Sequence, residues 1–130
     1  MTAYVIDAPA AIRLAEAEWS GAEHLLAPTL LRSQTLSLLH ADVVAGRREG
    51  GEAVALLRHV DGLPVRLLGD RVLRQGAWRV ADQLGWAQTE AAEFVALTRL
   101  HGDALVSGAP HVYTGADALV RIVPVDDILG

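Results

Sequence analysis

A single carboxylate stands at the end of the first apolar segment of the chain. Residues 3–7 read Ala-Tyr-Val-Ile-Asp and end on Asp7. Parallel α/β proteins bind ligands and metals outside the carboxyl ends of their strands, so an acid at such a strand end is a candidate functional group. Divalent-metal chemistry on phosphates needs several oxygen ligands that converge on one point. The role of Asp7 therefore depends on which other polar side chains lie beside it.

The elements that must position Asp7 alternate between short apolar strands and longer helices. We predict strands at residues 3–7, 25–27, 64–68, 104–107 and 120–125, and helices at residues 9–17, 29–45, 52–60, 71–84 and 90–100. Asp70 and Thr89 are the predicted N-caps of the last two helices, and Gly50-Gly51 is a predicted connection between helices. This alternation predicts an α/β fold in which a parallel sheet is covered on both faces.

The composition indicates one globular domain, residues 1–130, with 52% hydrophobic residues for its core. The chain has no cysteine, which excludes disulfides, cysteine–zinc sites and thiol nucleophiles. A net charge of −5 provides no overall positive field to attract nucleic acid. No apolar run approaches the ~20 residues that span a bilayer, and the N-terminus lacks the pattern of a signal peptide. We expect a cytoplasmic protein with no membrane partner.

Three other segments carry residues that stand out by their place on a helix or at a strand end. Gln34 is the polar member of an apolar stripe at positions 30, 34, 37, 38 and 41, and a buried amide there would need a hydrogen-bond partner. Ala91 lies in the first turn of the helix at 90–100 and is expected to point inward. The strand at 104–107 ends on Ser107, with Ala109 two residues later, and its tip is expected near Asp7.

Together, these segments resemble the PIN domain and, within it, the VapC-type toxins of bacterial toxin–antitoxin pairs. The resemblance covers nearly the whole chain and is carried by residues 4–8, 27–34, 89–97 and 105–109. In that family a second acid follows a proline by six residues, a third opens a helix three residues before an aromatic residue, and a Thr-x-Asp motif ends a strand. The resemblance implies a PIN-like three-layer α/β/α sandwich with a mostly parallel sheet of about four to five strands.

Most acids of the family pattern are missing from this chain. The matching positions are Asp7, Gln34, Ala91 and Ala109, while Ser107 keeps the hydroxyl of the Thr-x-Asp motif. Active family members use these acids to hold magnesium or manganese and to cut RNA. One carboxylate beside a neutral amide is expected to bind such a cation at about 1 mM or more weakly. We therefore expect no resident cofactor and impaired catalysis. In such a vestigial site, Asp7→Asn is expected to leave the melting temperature unchanged or to raise it.

Three functional hypotheses follow from this resemblance. The first is a binding module, a pseudo-toxin that forms a homodimer and occupies a small antitoxin protein. The second is an active Mg/Mn-dependent endoribonuclease toxin, with RNA as its partner and a site rebuilt from Asp7, Gln34, Glu90 and Ser107. The third is a structural remnant without a partner. His111, which follows the tip of the strand at 104–107, is also a candidate for an acid/base pair with Asp7.

The helix at 71–84 carries a basic and aromatic pattern. Arg71, Arg74 and Arg79 recur at a spacing typical of a solvated helix face. Trp78 and Trp86 are predicted to be core or interface anchors rather than platforms for stacking bases.

Overall fold

The computed structural model describes residues 1–130 and contains one sheet of five strands, all paired in parallel. The strands are β1 (Ala3–Ile6), β2 (His24–Pro28), β3 (Val65–Leu68), β4 (Ala104–Ser107) and β5 (Ile122–Pro124), in the spatial order β3-β2-β1-β4-β5. The helices are α1 (Ala8–Glu16), α2 (Leu31–Val44), α3 (Gly50–Asp61), α4 (Arg71–Leu84), α5 (Glu90–His101) and α6 (Val125–Leu129), with 3₁₀ turns at Pro110–Tyr113 and Ala116–Ala118. The predicted three-layer α/β/α sandwich with a parallel sheet is confirmed.

The central strands are buried on both faces. Ile6 of β1 and Val106 of β4 are fully buried, and the four residues of β4 are all inaccessible to solvent. Continuous apolar runs of this kind are typical of parallel strands that are covered by helices on both sides. The ladder between β1 and β4 sets Ile6 beside Val106. The residues that follow, Asp7 and Ser107, therefore emerge at the same edge of the sheet.

Helix α5 is buried around most of its circumference. Its residues 94–98 are all buried, because the helix packs against α4 on one side and against β1, β2 and β4 on the other. A second group of helices, α1, α2 and α3, pack against one another, and α1 also contacts β4 and α6. The first turn of α5 lies beside the end of β1, where Glu90 and Ala91 border the same cavity as Asp7. None of the helices is both long and apolar enough to traverse a lipid bilayer.

The predicted start of α4 is confirmed in detail. Asp70 is its N-cap, and one carboxylate oxygen accepts a hydrogen bond of 2.9 Å from the backbone N–H of Leu73. Thr89 stands at the N-cap position of α5, as predicted, but its side chain makes no capping hydrogen bond.

The predicted last strand, residues 120–125, is wrong at both ends. Strand β5 covers only Ile122–Pro124, and the following residues form the short helix α6. An apolar run interrupted by proline does not reveal by itself where a strand ends and a helix begins. Tertiary packing contributes here, because α6 contacts α1 and its first residue, Val125, is buried.

The predicted connection at Gly50-Gly51 is also wrong, because both glycines belong to the first turn of α3. The true connection between α2 and α3 lies before them and is held by Asp42. Its carboxylate accepts hydrogen bonds of 2.8 Å from Arg47 and 2.9 Å from Arg48. These hydrogen bonds hold the pKa of Asp42 below its usual range. The chain can therefore turn sharply without using the two glycines.

Candidate functional site

Asp7 lies where β1 ends and α1 begins, and only 3% of its surface is exposed. It is the N-cap of α1, and its Oδ1 accepts a hydrogen bond of 3.0 Å from the backbone N–H of Ala10. Aspartate is favoured at an N-cap because it satisfies a free N–H group and stabilises the positive end of the helix dipole. An acid at this strand end therefore has a structural reason that involves no metal.

Three more hydrogen-bond donors reach the same carboxylate from the end of β4 and the segment that follows it. The backbone N–H of Gly108 donates to Oδ1 at 3.1 Å, while the hydroxyls of Ser107 and Tyr113 donate to Oδ2 at 2.5 and 3.2 Å. An ionised carboxylate offers about four acceptor positions. Protein donors occupy all of them, so Asp7 joins β1, α1, β4 and the turn at Pro110–Tyr113.

Gly108 is required by the close approach of the two segments. A Cβ atom at this position would stand 2.7 Å from Cβ of Pro9 and 2.9 Å from the backbone nitrogen of Ala10. Any larger residue would push the chain after β4 away from α1. The glycine thereby allows its own N–H group to reach Asp7.

The two hydroxyl groups at Asp7 are fixed by their surroundings. Ser107 is fully buried, and its Oγ accepts a hydrogen bond of 2.9 Å from the backbone N–H of Ala109 while it donates to Asp7. Tyr113 is also buried. Burial raises the pKa of its phenol, and the nearby charge and hydrogen bond of Asp7 raise it further. Both hydroxyls therefore serve as neutral donors to the carboxylate.

Tyr113 is expected to make the protein less stable at alkaline pH. The unfolded chain releases the phenol proton near the usual pKa of 10.0, whereas the folded protein retains it. The free energy of unfolding should therefore fall by ~1.4 kcal/mol per pH unit above that value. Tyr113→Phe should remove this dependence and cost about 1 kcal/mol at neutral pH, where one hydrogen bond is lost.

The measurement is urea unfolding at neutral pH and at several pH values above 10. Because the chain has neither lysine nor cysteine, few other side chains titrate in that range. Tyr4→Phe is the matched control and should keep the alkaline loss of stability. If the free energy of unfolding of Tyr113→Phe fell with alkaline pH as steeply as that of wild type, the phenol of Tyr113 would not be the cause of the loss.

A pocket of about 750 Å³ opens beside Asp7. It brings together Asp7, Gln34, Glu90, Ala91 and Ala109, which come from the end of β1, from α2, from the first turn of α5 and from the segment after β4. The other walls include apolar side chains. The structure thus gathers four distant segments of the chain around one cavity.

Gln34 borders this pocket and is half-buried. The buried side of α2 carries Leu31, Thr35 and Leu39 instead. The prediction that Gln34 is a buried amide within an apolar stripe is wrong. Its stripe faces a cavity and solvent, and helical periodicity alone does not distinguish a stripe that lines a pocket from one that faces the core.

His111 does not take part in the site. It is exposed and does not border the pocket, whereas Tyr113, two residues later, contacts the carboxylate of Asp7. The prediction of a His–Asp pair is therefore wrong. Sequence reasoning missed Tyr113 because its direction depends on the 3₁₀ turn that folds it back over the strand ends.

The residues around the pocket do not fit a tightly held divalent cation. Magnesium demands near-octahedral coordination by oxygen ligands and usually more than one negative charge. All acceptor positions of Asp7 are occupied, Gln34 contributes a neutral amide, and the carboxylate of Glu90 is exposed. No group of three or more His, Asp or Glu side chains is arranged to hold a metal ion. A cation at Asp7 would have to displace at least one protein donor.

Comparison with known proteins identifies a related fold. No family model matches the sequence, and no curated protein matches it. Among solved structures, the crystal structure of PAE2754 from Pyrobaculum aerophilum is similar, with a TM-score of 0.71 over 98% of this chain and 94% of that chain. The two sequences share 20% identity. Similarity at this level shows a common fold and says nothing about activity.

Proposed function

We propose that this chain is a PIN-like, VapC-toxin-like protein of the toxin–antitoxin type, with impaired catalysis and a function in binding other proteins. The observation that carries the proposal is the set of contacts made by Asp7. Its carboxylate accepts four hydrogen bonds from protein donors and has none of the usual acidic partners beside it. The proposed protein is cytoplasmic, forms a homodimer and binds a small antitoxin protein.

The positions of the family pattern support the loss of catalysis. Asp7, Gln34, Ala91 and Ala109 border one cavity, as the acids of an active metal site would have to do. Here they supply one carboxylate in place of several. A metal ion activates water and stabilises phosphate charge only where the protein holds it firmly. This arrangement supports the proposal of a site that keeps its positions but lacks the charge to retain a cation.

Exposed apolar side chains support a function in protein binding. Leu36 and Val44 on α2 and Val54 on α3 are 55%, 76% and 52% exposed. Helices α2 and α3 pack against each other, so these exposed side chains are available to a partner protein in the same region of the surface. By contrast, Leu56 and Val80 belong to the core and are unavailable to a partner.

A ribonuclease with a rebuilt site is the second candidate function. The observation that favours it is the presence of Glu90 in the same cavity as Asp7 and Gln34. Glu90 would supply the second carboxylate, and Ser107 would orient Asp7 through their hydrogen bond. This candidate requires magnesium or manganese as cofactor.

Metal titration with an RNA cleavage assay separates the two candidates. The impaired protein is expected to show no saturable manganese binding below about 1 mM and no metal-dependent cleavage of RNA. The rebuilt enzyme predicts tight binding and cleavage that are both lost in Glu90→Gln. Glu52→Gln, a change of an exposed acid on α3, is the matched control. Both variants leave the hydrogen bonds of Asp7 intact.

The association state tests the binding function itself. Light scattering across a range of protein concentrations is expected to show a dimer, and a short antitoxin-like reading frame directly upstream would supply the partner for binding assays. A protein that remains monomeric and has no such neighbour would instead fit the structural remnant.

A further inference from the structure

A second groove lies between α4 and the start of α5. It has a volume of about 670 Å³ and is bordered by Arg71, Arg74, Trp78 and Arg79 of α4, with Thr89 before α5 and Glu93 of α5 opposite. None of its lining residues borders the Asp7 pocket. The two cavities are therefore separate sites.

Trp78 is the one large apolar residue that borders this groove. This residue is 68% exposed, whereas Leu73 and Val80 on the opposite side of α4 are buried. Packing within the chain therefore does not explain why an indole stands here. Large aromatic side chains with polar surroundings are the usual anchors of protein interfaces.

The arginines of the groove form no close ion pair within the chain, although the charge of Arg74 acts on the nearby Glu93, whose pKa burial raises. Arg13, Arg32, Arg47 and Arg48 each form an ion pair elsewhere, but Arg71, Arg74 and Arg79 form none. Glu93 is the one acid that borders the groove. Three arginines and one glutamate give this surface a local charge of +2 on a protein whose net charge is −5.

We propose that the groove binds an acidic peptide segment of a partner protein, which places an apolar side chain on Trp78 and its carboxylates on the arginines. Planar guanidinium groups bind carboxylates through two parallel hydrogen bonds, and such pairs define the direction of a bound segment. This inference goes beyond the proposed function and does not depend on the state of the Asp7 pocket.

Two other occupants fit the surface less well. A single-stranded nucleic acid needs a positive channel and several aromatic platforms, but this groove has one aromatic residue and the whole chain is negative. A second copy of the chain would bring the arginines of one groove against those of the other across a two-fold axis. Like charges that face each other across an interface disfavour that arrangement.

The test is a binding titration with a short fluorescent peptide that repeats Glu-Glu-Leu. We expect saturable binding that weakens as salt is added. Trp78→Ala and the double variant Arg71→Ala/Arg74→Ala should each weaken binding by about tenfold or more. Arg58→Ala removes an exposed and unpaired arginine on α3 and should leave the affinity unchanged. Because all these side chains are exposed, the variants are expected to fold normally.

Three results would overturn the proposal. The first is the absence of saturable binding of the acidic peptide. The second is tighter binding of single-stranded oligouridylate than of the peptide, with loss in Trp78→Ala, which would identify a nucleic-acid site. The third is a dimer that dissociates in Trp78→Ala, which would identify a second copy of the chain as the occupant.

Discussion

Asp7→Ala is expected to lower the free energy of unfolding by about 4 kcal/mol. The change removes a buried acceptor and leaves four donors without it: the N–H groups of Ala10 and Gly108 and the hydroxyls of Ser107 and Tyr113. Hydrogen bonds to a charged group contribute more than neutral ones, and buried donors without partners are costly. The loss should therefore far exceed that of an ordinary helix cap.

Asp70→Ala is the matched control for this prediction. Asp70 caps α4 with nearly the same backbone angles as Asp7, but it is exposed and its carboxylate accepts a single hydrogen bond. Its replacement should cost about 1 kcal/mol. Urea unfolding of both variants then isolates the contribution of the hydrogen bonds that only Asp7 receives. Small and equal losses in the two variants would contradict a structural role for the Asp7 carboxylate.

The four hydrogen bonds also change the expectation for Asp7→Asn. A vestigial metal ligand would tolerate this change, but an asparagine offers one acceptor oxygen and turns an NH₂ group toward two of the donors. The hydroxyls of Ser107 and Tyr113 can rotate to accept from that group, whereas a backbone N–H cannot. We expect the free energy of unfolding of Asp7→Asn to lie between that of wild type and that of Asp7→Ala.

The second large effect is expected when acids are placed at the other positions of the family pattern. Gln34→Glu, Ala91→Asp and Ala109→Asp together would give the pocket four carboxylates with Asp7. We expect manganese to bind at about 10 µM, roughly a hundredfold more tightly than in wild type, because affinity follows the number and charge of the ligands. Without metal the triple variant should be less stable than wild type, since the added carboxylates repel one another.

Calorimetric titration and thermal melting with and without manganese measure both parts of this prediction. A cation at a hundred times its dissociation constant should stabilise the triple variant by about 2.7 kcal/mol. The control adds the same charge at exposed positions outside the pocket, with Ala41→Asp, Ala55→Asp and Gln83→Glu, and should gain no affinity. If the triple variant gained none either, the four positions would not form a metal-site frame, and the PIN-like proposal would fail.

Local patterns were sufficient to predict most of the fold. Short apolar runs bounded by helix signals indicated the parallel sheet, and Asp70 marked the start of α4, because these features depend on residues close together in the chain. The predictions failed where a tertiary contact decided the outcome. Helix α6 depends on packing against α1, and Gln34 borders a cavity whose walls come from several segments.

The role of Asp7 likewise depends partly on local sequence and partly on tertiary contacts. Its place at the end of β1 could be inferred from five residues of sequence, and the lack of acids at the matching positions could be found by inspection. The state of its carboxylate could not be inferred, because three of the four donors come from residues 100 or more positions away. They reach it only when β4 pairs with β1, Gly108 approaches α1 and the 3₁₀ turn directs Tyr113 inward. Hydrogen bonds between such distant residues leave no local pattern, so only the folded chain reveals that Asp7 is already fully occupied.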